Sequence, residues 1–435
     1  MSLLKEKLQE KIAIERPRTE KLLKEYGNVK VDEVTIGQII GGMRDIKSLV
    51  TDISYLDPYE GIRFRGLTIP EVLEKLPKVP GAEMPYVEGF YYFLLTGDLP
   101  TENEVNAIHE EFNSRKQVPD YVFKIIKSMP IDSHPMTMFA TAIMSMQKDS
   151  IFAKKYHEGV KKTDYWQYYF EDALNLLAKL PEIAAFIYRL KYRNGDIIPP
   201  DPNLDFGGNF AHMMGIAKPY DDISRLYFIL HSDHESGNVS AHTGHLVASA
   251  LSDMYYAISA MLNGLAGPLH GLANEEVLRW LHGVYAQLGG KIPTEEEMKK
   301  FVNDTLDAGK VIPGFGHAVL RKTDPRYMAQ REFCLKHLPD DPLFKYVDLL
   351  FKVVPDILLA RGKAKNPWPN VDAQSGVIQW YYGVKEYDFY TVLFGIGRSL
   401  GVTANIVWAR ALGYPIERPK SLTTKMLEDI AFGKK

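Results

Sequence analysis

Apolar positions recur at helical spacing along most of this chain. Near the N-terminus Leu4, Leu8 and Ile12 return every four residues among charged neighbours, which predicts an amphipathic helix. Pro17 is expected to stop or kink it. Residues 101–115 open with Thr101 and Glu104 at the spacing of a capping box. Thr323-Asp324-Pro325 gives another helix start, a cap candidate followed by proline at the first helical position. The most apolar long stretch, Leu246 to Leu265, is interrupted by Ser249, Ser252, Asp253, Ser259 and Asn263. It predicts a buried core or interface helix rather than a membrane span. Strand signals are sparse. Between Ile53 and Gly66, Asp57-Pro58-Tyr59-Glu60-Gly61 separates two short apolar runs and predicts a small hairpin.

Proline- and glycine-rich joints fall at 195–202, 264–271, 312–316 and 366–370. The portion from about 271 to 377 lies between two of them and reads as an inserted lobe. A pocket is expected where that lobe meets the rest of the chain, since ligand sites favour such junctions.

Composition narrows the class. The chain has 435 residues, 46% of them hydrophobic, which is more than one core usually serves. With 52 basic and 55 acidic residues the net charge is −3, so nothing argues for a nucleic-acid or membrane partner. The single cysteine, Cys334, rules out an intramolecular disulfide and fits a reducing compartment. Met1 to Gly27 is rich in glutamate as well as lysine, unlike an Arg- and Ser-rich targeting peptide. Two readings follow: a matrix protein without its targeting peptide, or a cytosolic protein.

Three turns present chemistry. Gly267-Pro268-Leu269-His270-Gly271 and Pro313-Gly314-Phe315-Gly316-His317 each aim an imidazole, and Asn366-Pro367-Trp368-Pro369-Asn370-Val371-Asp372 aims a carboxylate. Two imidazoles and one carboxylate suit a reaction in which one proton leaves a carbon while another reaches an oxygen. Asp372 taken alone reads as a helix N-cap before it reads as a catalyst. His270, placed before a helical stretch, would be disfavoured as imidazolium and would serve as a neutral donor.

His231, His234, His242 and His245 fall within fifteen residues. A metal site, backbone-bonded buried histidines and a donor to an anionic substrate all remain open, although no metalloprotease-type pair appears. Arg398 is the only charge between Thr391 and Arg410, so it needs an anion, either a structural carboxylate or a ligand. Gly395-x-Gly397 lacks a preceding strand and reads as a close-packing device rather than a dinucleotide fingerprint. Gly314-Phe315-Gly316 lacks the Lys-Ser/Thr of a P-loop, yet its amides could cradle a phosphate. Lys363 and Lys365 read as phosphate contacts or as a solvated basic loop.

These runs, together with His231-Ser232-Asp233-His234-Glu235, Gly41-Gly42-Met43-Arg44 and the continuation of the second histidine turn to Arg326-Tyr327, resemble citrate synthase of the mitochondrial (si-type) class over nearly the whole chain. The resemblance implies an all-α homodimer with a large lobe (1–270 and 378–435) and a smaller mobile lobe (271–377). It implies condensation of acetyl-CoA with oxaloacetate and water to citrate and CoA, through an enol and citryl-CoA, as a transferase of the tricarboxylic acid cycle in the mitochondrial matrix. Asp372 would take the methyl proton, His270 would bond the thioester oxygen, and His317 would protonate the ketone of oxaloacetate. His234, Asn238, Arg326 and Arg398 would hold oxaloacetate, with Arg418 reaching in from the other subunit.

For CoA it implies Leu269, Val311, Pro313, Gly314, Gly316, Lys365 and Asn370, with Arg44 from the partner, and Lys162 where animal members place an arginine. It also places Ser236 in a usually Gly-Gly pair. No permanently bound cofactor and no metal is implied; acetyl-CoA is a cosubstrate. A 2-methylcitrate synthase would share every residue named, and an added assembly role is a further alternative.

Overall fold

The computed structural model describes residues 2–317, 319–362 and 366–433. Its first helix, α1 (Leu3–Tyr26), buries Leu4, Leu8 and Ile12 as the four-residue spacing predicts. Pro17 does not stop it. Proline removes one N–H bond, and here it sits on the exposed side, where the rest of the helix carries the chain onward.

The hairpin forms as β1 (Ser54–Asp57) and β2 (Gly61–Phe64), paired from Ser54–Phe64 to Asp57–Gly61. The Asp57 carboxylate closes the turn by accepting from the amides of Tyr59 (2.7 Å) and Glu60 (2.9 Å). A two-residue strand, β3 (Leu67–Thr68), extends it to three strands and leads into α2 (Ile69–Lys75). The other described elements are helical. Thr101 caps α3 (Glu102–Arg115) through the expected capping box.

The stretch 246–265 is two helices. These are α5 (Val239–Ser249), which follows α4 (Tyr220–Leu230), and α6 (Met254–Asn263). Asp253 breaks the run because its carboxylate accepts the amides of Tyr255 and Tyr256 and starts a new helix. With so short a joint, α5 and α6 pack side by side.

Between them and the C-terminus come α7 (Ala273–Gln287), α8 (Glu295–Asp307), α9 (Pro325–His337), α10 (Pro342–Ala360) and α11 (Asp372–Tyr381). These five pack chiefly on one another, and α9 also meets α2. The expected lobe boundary at 377 falls inside α11. Asp324 and Pro325 start α9 as anticipated, with Asp324 accepting the Arg326 amide at 2.9 Å.

The chain then runs into α12 (Tyr390–Ala411), which packs on α4 and α5. By length and composition this helix could cross a bilayer, yet nearly every residue of it is buried in protein. A Cβ on Gly397 would come within 3.1 Å of the Phe228 carbonyl oxygen, and one on Gly401 within 2.4 Å of that of Ser232. The small residues of α12 therefore serve close approach, which brings Arg398 beside the 231–238 loop.

Candidate active site

Helix α5 begins at the centre of the site. Asn238 is its N-cap, with Oδ1 accepting from the Ala241 amide (3.1 Å), the Ser240 hydroxyl (2.9 Å) and Arg398 Nη1 (2.7 Å). Its amide nitrogen donates to the carbonyls of His234 (3.1 Å) and Glu235 (2.9 Å). Every side-chain atom of Asn238 able to bond is thus engaged with protein. Arg398 also donates from Nη1 to Ser240 Oγ (2.9 Å) and from Nε to the His231 carbonyl (3.2 Å). It makes no ion pair with a described carboxylate, and its Nη2 has no described partner. The structural-carboxylate reading of Arg398 is therefore set aside. His270 reaches the same hydroxyl, with Nε2 2.9 Å from Ser240 Oγ. It sits on a tight turn closed by reciprocal bonds between the Gly267 and His270 backbones, with Leu269 fully exposed at the tip.

The other two catalytic candidates come from loops zipped together. The Gly316 amide donates to the Trp368 carbonyl (2.9 Å), the Asn370 amide to that of Gly314 (2.9 Å), and Asn370 Nδ2 to that of Gly316 (3.0 Å). His317 Nδ1 accepts the amides of Val319 and Leu320, both at 3.0 Å, so the ring proton of the neutral form resides on Nε2. Asp372 is the first residue of α11 rather than its cap. Asn370 Oδ1 takes the Asp372 amide at 3.0 Å, which leaves the carboxylate of Asp372 unused. Arg326 is gripped by Asp324 through Nε (3.1 and 3.2 Å) and Nη2 (2.7 Å), and Nη1 has no described partner.

The rings of His234 and His317 lie 5.5 Å apart, and His234 Nε2 is buried without a partner. Arg326 and Arg398 act electrostatically on both His234 and Asp372. Burial, and then these guanidiniums, hold the imidazoles neutral: His270 and His317 drop to about 4, and His234 falls well below its usual value. Burial raises Asp372 to about 6 against the pull of Arg326. Burial lowers Arg398 to about 10. The pocket thus pairs neutral donors with a carboxylate of raised basicity and two cations that have free nitrogens.

His270, His317, Asp372, His234, Asn238, Arg326 and Arg398 therefore converge. Pro313, Gly314, Gly316 and Asn370 lie in the zipped loops, and exposed Val311 lies just before them. Lys365 lies outside the described residues. Arg44, exposed in the turn after Ile36–Ile40, is not drawn into the cleft of its own chain. Exposed Arg418 follows Glu417, whose amide donates to Ser249 Oγ (3.1 Å) at the far end of α5, about 16 Å along the helix from Asn238. Lys162 lies at that same end, lining a cavity with Ser249 and Tyr414. The histidine cluster disperses. His231 stacks on Tyr227 (3.9 Å), His242 faces Glu417 (3.2 Å), and no metal-holding group of three or more His, Cys, Asp or Glu occurs among the described residues.

The sequence marks Asp324 only as a helix start and gives Ser240 and Asp233 no role of their own. Asp233 is buried and takes the Ser54 hydroxyl (2.7 Å) and Asn405 Nδ2 (3.2 Å), fastening the His234 loop to β1 and α12. Its place beside His234 was the one available signal; the partners that give it meaning are 179 and 172 residues away.

Comparison with known proteins gives a consistent picture. The family described as "Citrate synthase, C-terminal domain" matches residues 42–420. The chain is 53% identical to "Citrate synthase, mitochondrial" of Xiphias gladius over 97% of its length and 90% of the relative's. It is 53% identical to the protein of that name from Daucus carota, over 98% of its length and 90% of the relative's. Among solved structures, citrate synthase from Thermoplasma acidophilum, described as a ternary complex with carboxymethyl coenzyme A and oxaloacetate, superposes with a TM-score of 0.73. That match has 25% identity and covers 90% of this chain and 97% of the other.

Proposed function

The chain belongs to the citrate synthase family, and from that premise we propose how its residues divide the condensation of acetyl-CoA with oxaloacetate. The observation that carries the proposal is the meeting of His270, His317 and Asp372 with two guanidiniums that still have nitrogens to offer an anion. Oxaloacetate supplies two carboxylates. Arg398 binds one through Nη2 and Arg326 the other through Nη1, and His234 Nε2 finds its missing partner there. Asn238 acts on substrate through Arg398, which it orients.

Asp372 removes a proton from the acetyl methyl group. A carboxylate near pKa 6 is still far too weak to generate a free enolate, so the thioester oxygen must be stabilised as the proton leaves. His270 does this. The Ser240 hydroxyl has one proton and can turn it from Asn238 Oδ1, which keeps its bonds from Arg398 and Ala241, to His270 Nε2. The ring proton then sits on Nδ1 and points to the thioester oxygen. The enol carbon attacks the ketone carbon of oxaloacetate, whose oxygen takes the proton from His317 Nε2. Water cleaves the resulting citryl-CoA to citrate and CoA.

Helices α7–α11 make up the smaller lobe, and its closure on oxaloacetate excludes water and protects acetyl-CoA from hydrolysis. The exposed apolar side chains Val239 and Leu246 of α5 and Tyr256 of α6 form a face for a second copy. Two-fold pairing of α5 with the partner's α5 sets the Arg418 end of each against the Asn238 end of the other, so Arg418 serves the partner's site. Lys162 shares that end and Arg44 that exposure, and both meet the CoA of the partner, with Leu269, Val311 and the zipped loops receiving it. The relatives' names support a mitochondrial setting, of which the matrix is the compartment proposed here. Oxaloacetate-dependent release of CoA from acetyl-CoA, with citrate identified as product, tests this function. Release that proceeds without oxaloacetate, or yields acetate, counts against it.

A further inference from the structure

Among the described residues five arginines are buried: Arg189, Arg225, Arg326, Arg398 and Arg410. Four are held. Arg225 meets Asp205, Asp221 and Asp222, Arg189 meets Asp196, Arg326 meets Asp324, and Arg398 bonds to Asn238 and Ser240. Arg410, near the end of α12, is 5% exposed and has no hydrogen-bond or ion-pair partner among the described residues; its Nε is fully enclosed. An unpaired guanidinium in such a place is costly unless something answers it.

Arg410 lines a cavity of about 260 Å³ whose other polar residues are Lys162, Tyr165, Ser249 and Tyr414. Two cations line this cavity and no carboxylate does. The acidic neighbours, Glu417 and Asp52, line an adjoining cavity that shares Arg410 and Tyr414 with the first; Glu417 acts electrostatically on Arg410 and pairs with His242, and His245 Nε2 is also unpartnered. The two walls are fixed relative to each other. Arg16 of α1 donates from Nε to the Ala411 carbonyl (2.6 Å) and from Nη2 to the Thr163 carbonyl (3.0 Å), one residue from each cation.

We propose that Arg410 and Lys162 form a phosphoryl-anion site, the buried fork of Arg410 binding two oxygens and the mobile ammonium of Lys162 closing over the outer face. The proposal extends the reading of Lys162 given above and adds Arg410 to it. A phosphate of CoA and a free phosphoanion share this chemistry.

The test uses no turnover, so this site and the catalytic reading can fail separately. Thermal melting of the full chain is followed against inorganic pyrophosphate at constant ionic strength. Wild-type protein should show a saturable rise in Tm, because a ligand that binds only the folded state stabilises it. Lys162→Ala should need at least tenfold more pyrophosphate for the same rise. Arg410→Met should show no rise, and without anion it should melt at or above wild type, since a buried unpaired charge has been removed. A structural arginine would give a lower Tm. No saturable rise in wild type, or an equal rise in both variants, overturns the proposal. If Arg410→Met does not fold, wild type against Lys162→Ala decides. Competition then identifies the source. Displacement of pyrophosphate by CoA assigns the site to a cosubstrate phosphate, the 3′-phosphate if dephospho-CoA fails to displace and the diphosphate if it also displaces, and displacement by neither assigns it to a free phosphoanion.

Discussion

His270 and Arg398 meet on a single oxygen atom. Nε2 of one and Nη1 of the other each lie 2.9 Å from Ser240 Oγ, so the orientation of a catalytic imidazole is tied to that of a substrate-binding cation. Ser240→Ala breaks the tie while leaving both residues in place. His270 then loses the partner that keeps its proton on Nδ1. We expect kcat to fall about 10- to 100-fold, a part of the 10²–10⁴ that such a proton-handling group supplies. Binding of oxaloacetate should weaken less. Steady-state kinetics with each substrate varied checks this; an unchanged kcat would remove Ser240 from the mechanism.

The charge states predict the pH profile. Asp372 must be ionised to accept a proton, and burial places it at about 6. In the free enzyme kcat/KM should therefore climb about tenfold per pH unit below 6 and level off above it. His270 and His317, at about 4, are already neutral throughout this range and should add no inflection near neutrality. A falling limb between pH 6 and 8 would contradict the neutral-imidazole assignment.

Asp372 should also cost stability. Its folded pKa is raised above the value of an unfolded aspartate, so the native state binds the proton more tightly. Stability falls as pH rises from about 4 to 6, and the cost persists above that window. At about 1.4 kcal/mol per unit the penalty is about 1–3 kcal/mol. Asp372→Asn should therefore melt higher than wild type at pH 7.5, and the gain should shrink as pH falls to 4.5. Melting curves at several pH values test the sign directly.

Gly314 sets the distance between the zipped loops and α11. Its φ is +81°, and an added Cβ would lie 2.8 Å from the Ala373 Cα, next to Asp372. Gly159 has the same φ with open space around it. Gly314→Ala should lower kcat/KM at least tenfold, because a displacement of about 1 Å at a reacting group can cost about 100-fold. Gly159→Ala carries the backbone strain alone, about 1–2 kcal/mol, and should leave the kinetics intact. Equal effects of the two substitutions would deny Gly314 a positioning role.

The sequence spoke clearly where physics is local. Leu4, Leu8 and Ile12, the Thr101 capping box and the Asp324-Pro325 start all form as their spacing predicts, because each depends on residues within one or two turns. Pro17 and the 246–265 stretch misled for the same reason. An exposed proline is tolerated by a helix otherwise committed, and the side chain of Asp253 outweighed an apolar run. The turns carrying His270, His317 and Asp372 stood out through their glycines and prolines. What holds them did not. Asn370 supplies the cap suspected of Asp372, and Ser240 and Asp233 look like ordinary helix and loop residues until distant segments fold onto them. The far-end location of Arg418 and Lys162 likewise emerges only in three dimensions.

The whole mechanism turns on Asp372 as the base that removes the acetyl proton. Its most direct test is thiol release from acetyl-CoA, with and without oxaloacetate, by wild type and by Asp372→Ala of confirmed fold. Fast release that requires oxaloacetate in wild type and drops at least a thousandfold in the variant is the predicted result. Release by the variant at a rate near that of wild type would contradict the account.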